Sequence, residues 1–108
     1  MENYELASLT ISQVEESWTL TFERAKLMVV HDHGTLSWFI DAEGVANADV
    51  LNRFAISEEI AVSLEAVTIG GRKLTGAGYF HPNTLHSAAA IRGVGELDGY
   101  SPGLLRQP

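Results

Sequence analysis

Period-two alternation between glycine turns constrains this chain more than any other feature. Trp18, Leu20 and Phe22 alternate with Thr19, Thr21 and Glu23. Leu27, Val29 and His31 run into His33-Gly34 and return as Leu36, Trp38 and Ile40. Ile60, Val62, Leu64 and Ala66 run into Gly70-Gly71 and return through Leu74, Ala77 and Tyr79. Successive strand side chains point to opposite faces, so this pattern marks an antiparallel sheet with one buried side. Such a sheet must pack on a second sheet or close on itself. The expected fold is therefore all-β: one domain over residues 1–108, an antiparallel sandwich or small barrel built from meander hairpins. At most one short helix is expected, near residues 47–54.

The register of the first hairpin follows from its turn. His33 and Gly34 suit the two central positions of a type I′ turn, where both residues take positive φ. His31 then faces Leu36, Val29 faces Trp38, Leu27 faces Ile40, and Met28 faces Phe39. A slip of one residue would split the apolar set between the two faces. Treating Gly70-Gly71 in the same way places Val67 opposite Leu74, Leu64 opposite Ala77, and Val62 opposite Tyr79.

Elsewhere the pattern is looser. Tyr4 and Leu6 share one parity while Leu9 and Ile11 share the other, which predicts a bulge near Ala7 in the first strand. A second strand is expected over residues 18–23, and a short turn at Glu23-Arg24 where the parity changes again. In residues 42–58 alternation lapses; Asn47 or Asp49 can cap a short helix whose Val50, Leu51 and Phe54 plug one end of the core. Pro82-Asn83 predicts a loop over residues 81–85, and the register beyond it stays open. The closing strand, residues 86–97, is poor in bulk. It places Ser87 and Ala89 near Gly76 and Gly78, leaving a shallow small-residue surface. Residues 99–103 read as a turn and a loose end.

Composition removes several functions. There is no cysteine among the 108 residues, so disulfides, thiolate catalysis and cysteine metal sites are excluded. The net charge is −7, and phosphate backbones repel such a surface, so no nucleic-acid partner is expected. Residues 1–65 hold 12 acids and 3 bases (−9), and residues 66–108 hold 2 acids and 4 bases (+2). Copies of the chain can thus meet through unlike patches. No run approaches ~20 apolar residues, the length that spans a bilayer, and the acidic start lacks a signal pattern. No membrane partner is expected, and a cytoplasmic location fits.

The chemistry is sparse. His31-Asp32-His33 has the His-x-His spacing that sets two imidazoles on one strand face, and His81 and His86 would add ligands. A turn at His33 breaks that parallel arrangement, and positions 36–38 supply Leu, Ser and Trp where a cupin-like barrel would need a carboxylate. His81 and His86 bracket a loop near Tyr79, but no partner orients either ring for general-base work. Gly93-x-Gly95-x-x-x-Gly99 lies too close to the end to open a dinucleotide-binding βαβ unit. No motif assigns the chain to a family.

The reading that remains is a non-enzymatic structural or protein-interaction domain that self-associates, with itself or another protein as partner and no cofactor. Its basis is the bland closing strand, taken as a free edge open to strand addition. The alternative is a small-molecule or metal-binding barrel, even an enzyme, using His31, His33, His81 and His86. The expected binding surface is Tyr79, His81 and His86, with Tyr79 opposite His86. In the competing placement Tyr79 is core, packed on Val62.

Overall fold

The computed structural model describes residues 1–101. It contains seven strands: β1 (Glu2–Gln13), β2 (Glu16–Thr19), β3 (Arg24–Asp32), β4 (Thr35–Glu43), β5 (Ala61–Thr68), β6 (Lys73–Asn83) and β7 (Ala88–Asp98). One helix, α1 (Ala48–Ile56), joins β4 to β5. The pairing runs β1-β3-β4-β7-β6-β5 and returns to β1, so six antiparallel strands close into a barrel. β2 is an extra strand that pairs with the far end of β1. The sheet closes on itself and forms a barrel, not a sandwich.

The β3–β4 hairpin forms in the expected register, with His31 opposite Leu36, Val29 opposite Trp38 and Leu27 opposite Ile40. His33 and Gly34 both have positive φ, 51° and 79°, as a type I′ turn requires. The parity switch in β1 is also real: its pairing with β5 shifts between Leu6 and Ser8. That shift lets Tyr4, Leu6, Leu9 and Ile11 all point inward.

The β5–β6 hairpin differs from expectation by one residue. Ala66 faces Leu74, Leu64 faces Gly76, and Tyr79 faces Ala61. The loop has three residues, not two. Thr68 N donates to Arg72 O at 2.9 Å, Gly71 N donates to Thr68 O at 2.9 Å, and the Thr68 hydroxyl accepts from Arg72 N at 3.0 Å. Gly71 supplies the positive φ that closes it. A two-residue turn would have put Leu74 on the face of Val67. The longer loop sets Leu74 beside Ala66 and Leu64 on the core face, and burial of that apolar set decides the register.

The chain reversal after β6 lies later than Pro82. β6 runs through Pro82 to Asn83, and a short 3₁₀ turn, Thr84–His86, followed by left-handed Ser87 makes the return. Pro82 is tolerated because β5 pairing has ended by that level, so its missing N–H removes no ladder bond. β2 is shorter than expected. Past Thr19 the backbone bonds elsewhere: Thr21 N goes to the Asn47 side chain at 2.7 Å and Ala46 N to Thr21 O at 2.8 Å. Asn47 precedes α1, but its side chain serves this loop and does not cap the helix.

α1 sits at the barrel end where β4 and β6 finish and β5 and β7 begin. Val50, Leu51 and Phe54 are buried there, and the Phe54 ring lies 4.7 Å from that of Phe80. The core end opposite α1 holds the β3–β4 turn, the β5–β6 loop and Tyr100. Tyr100, expected in a loose tail, packs edge-on against Tyr4 at 6.3 Å; residues 102 onward lie outside the described residues.

The closing strand corrects two expectations. β7 is not an edge, because it pairs with β4 on one side and β6 on the other. Of its small residues, Ala89 and Gly93 face inward, Gly93 against a tryptophan, while Ala90 faces outward. Trp38 is 2% exposed, and its indole lies on Gly93 and Gly76. A Cβ at Gly93 would overlap the indole ring, and one at Gly76 would stand 2.9 Å from it. The indole N–H donates to Gly95 O at 3.1 Å, which bridges β4 to the part of β7 that no longer pairs with it. Gly78, expected beside Ser87 or Ala89, pairs with Gly93.

Candidate functional site

Register places the outward side chains in rows across the barrel. One row crosses β3, β4, β7, β6 and β5 as Met28, Phe39, Arg92, Tyr79 and Ala61. The next row toward α1 reads Lys26, Asp41, Ala90 and His81. Alternation explains each position. Trp38 and Ile40 point in, so Phe39 and Asp41 point out; Phe80 is fully buried, so Tyr79 and His81 point out. A shallow cleft of about 480 Å³ lies over this surface, lined by Phe39, His81, Ala90 and Arg92 among others.

Arg92 is the electrostatic feature of the face. Its guanidinium carbon lies 5.2 Å from the Tyr79 ring centroid. Among the described residues it forms no ion pair, whereas Arg24, Arg53 and Lys73 each hold a carboxylate. A guanidinium spread on an aromatic ring keeps its edge donors free for a planar anion. Phe39 and Tyr79 supply apolar area on either side of it.

The expected binding residues are only partly brought together. Tyr79 and His81 share this outer face. Tyr79 is half-buried and points outward, so it neither lines the core against Val62 nor faces His86; its neighbours are Arg92 and Ala61. The one-residue change in the β5–β6 register takes Tyr79 off Val62, and the later reversal after β6 sets Arg92, not His86, opposite it. His86 lies exposed in the 3₁₀ turn, where its backbone N–H donates to the Asn83 side chain. Arg92 and Phe39 were not singled out from sequence. The available signal for Arg92 was its place as the first charge after the uncharged run Ser87–Ile91.

The histidines do not converge. His33 is 95% exposed at the hairpin turn, and His31 stands at the same end of the barrel, away from His81 and His86. Among the described residues, no three His, Asp or Glu side chains stand close enough to hold one ion. His31 joins a different cluster. Its Nε2 lies 2.8 Å from the Tyr100 hydroxyl and 3.5 Å from Glu2. Tyr4 donates to Glu2 at 2.5 Å, and Tyr100 donates to the other Glu2 oxygen. Burial, and then the hydrogen bond to Glu2, push the Tyr100 phenol well above its ordinary range. The cluster ties the start of the chain to the end of β7.

A second outer face has another character. One row reads Ser17, Ser12, Ser63, Ala77 and Val94, and its neighbour reads Thr19, Thr10, Glu65, Thr75 and Asp98. It forms shallow grooves of about 620 and 680 Å³ floored by short side chains.

No helix among the described residues is long and apolar enough to cross a membrane. No protein-family model, curated protein or solved structure matches this chain, so its function has to be read from these two faces.

Proposed function

We propose that this chain is a non-enzymatic structural or interaction β-barrel that associates with other copies of itself. The observation that carries the reading is Arg92, a cation without an ion-pair partner among the described residues, laid on Tyr79 beside Phe39 and His81. Arginine and tyrosine dominate the energetic centres of protein interfaces. In a chain of net charge −7, an acidic surface that such an arginine can accept is present on every other copy. This basis replaces the free edge strand, since β7 is paired on both sides.

Light scattering across a concentration series at moderate salt tests the proposal. The apparent mass should rise above the 11.7 kDa of one chain. A strict monomer at the highest soluble concentration overturns it.

A further inference from the structure

We infer that two copies pair through the β7–β6–β5 face, about a two-fold axis running along β6, with Arg92 of each copy against Glu58-Glu59 of the other. The inference rests on the self-association proposed above and adds the surface and its symmetry. β6 forms the crest of the face and carries Tyr79 and His81. Arg92 lies on one flank, directly beside Tyr79 on β7. On the other flank β5 begins at Ala61, opposite Tyr79. Phe80 N donates to Ile60 O at 2.9 Å, so the same register continues and Glu59 stands at the level of His81. Glu58 and Glu59 are exposed and form no ion pair among the described residues. Ile56, close by at the end of α1, is 89% exposed.

Among the described residues, the face therefore carries a cation without an ion pair on one side of its crest and two anions without one on the other. Neighbouring strands are about 4.8 Å apart, so the two flanks lie about 10 Å apart across β6. Across that gap the charges form no ion pair within one molecule. Rotation about an axis parallel to β6 brings the positive flank of one copy against the negative flank of the other, twice. This is the self-complementary arrangement of an isologous dimer. Tyr79 meets the partner's Tyr79 at the axis, where two aromatic rings can stack. A perpendicular two-fold would instead oppose like charges.

The experiment is a charge swap followed by sedimentation over a dilution series. Arg92→Glu alone, and Glu58→Arg with Glu59→Arg, should each weaken dimerisation by about tenfold or more. The triple variant should recover most of the wild-type affinity, because the unlike contacts are restored with their signs exchanged. All three variants change exposed positions, and unchanged melting temperatures will establish that they fold. A wild-type dimer that Arg92→Glu leaves intact, or that the triple variant does not restore, overturns this face while self-association stands. A monomeric wild type overturns both.

Discussion

One patch of the barrel's outer surface carries Phe39, Arg92 and Tyr79; the adjoining patch carries Ser17, Ser12, Ser63 and Ala77. The same strands contribute to both, since Tyr79 and Ala77 are successive outward residues of β6. The interiors behind them also differ. Behind the serine face Ile11 packs across from Leu64 in an ordinary aliphatic layer. Behind the aromatic face one large ring, Trp38, fills space that Gly93 and Gly76 leave open. Inward parity is kept behind both patches while the outward residues differ in character. The outward set is therefore where function can be specified without disturbing the fold.

The largest expected effect lies under the aromatic face. Trp38→Ala should lose about 3–5 kcal/mol in urea unfolding, because the glycines around it have no side chains with which to fill the hole. Leu64→Ala, under the serine face, should lose less than Trp38→Ala, about 2–3 kcal/mol. Equal losses would remove the distinction drawn between the two interiors. Gly93→Ala should cost about 1–3 kcal/mol through overlap with the indole. Combining it with Trp38→Leu should give less than the sum of the two, since the smaller side chain vacates the contested space. Strict additivity would show that the ring and the glycine are not matched.

A smaller effect belongs to the end cluster. Tyr100 holds its proton more tightly in the folded chain than in the unfolded one, whose phenol titrates near 10.0. Its contribution to stability is therefore complete below about pH 10 and is lost as pH rises through the raised folded value. Melting curves between pH 9 and 11, in the range of the ordinary phenol, should fall more steeply for the wild type than for Tyr100→Phe. Parallel curves would remove the phenol from the alkaline limb. The smallest effect tests the faces directly. Ser17→Arg, on β2 two strands from β5, should leave association within about twofold of wild type, because a lone exposed charge away from an interface changes little. A loss as large as that expected of Arg92→Glu would show that the serine face is also an interface.

Much of this architecture could be read from residues. The β3–β4 register was legible because a two-residue turn with His33-Gly34 admits one pairing, and both faces of that pairing agree. The bulge in β1 was legible because Tyr4, Leu6, Leu9 and Ile11 cannot all face one way without it. Val50, Leu51 and Phe54 identified the helix by their loss of alternation. The candidate site was legible only in part: Tyr79 and His81 were placed together, but His86 was drawn in because the reversal after β6 was set at Pro82-Asn83, several residues before the turn that actually brings Arg92 opposite Tyr79.

The rest depended on contacts between residues far apart in the chain. Gly70-Gly71 fits a two-residue or a three-residue loop, and only burial of Leu74 beside Ala66 and Leu64 selects the longer one. The bland closing strand reads locally as a free edge; Trp38, more than fifty residues earlier, is what its glycines accommodate. Arg92 acquires meaning only when β4, β7 and β6 lie side by side and set it between Phe39 and Tyr79. Alternation is a local property of the backbone and determines which face a side chain takes. Which side chains become neighbours on that face is settled by closure of the barrel, where strands distant in sequence must share one core.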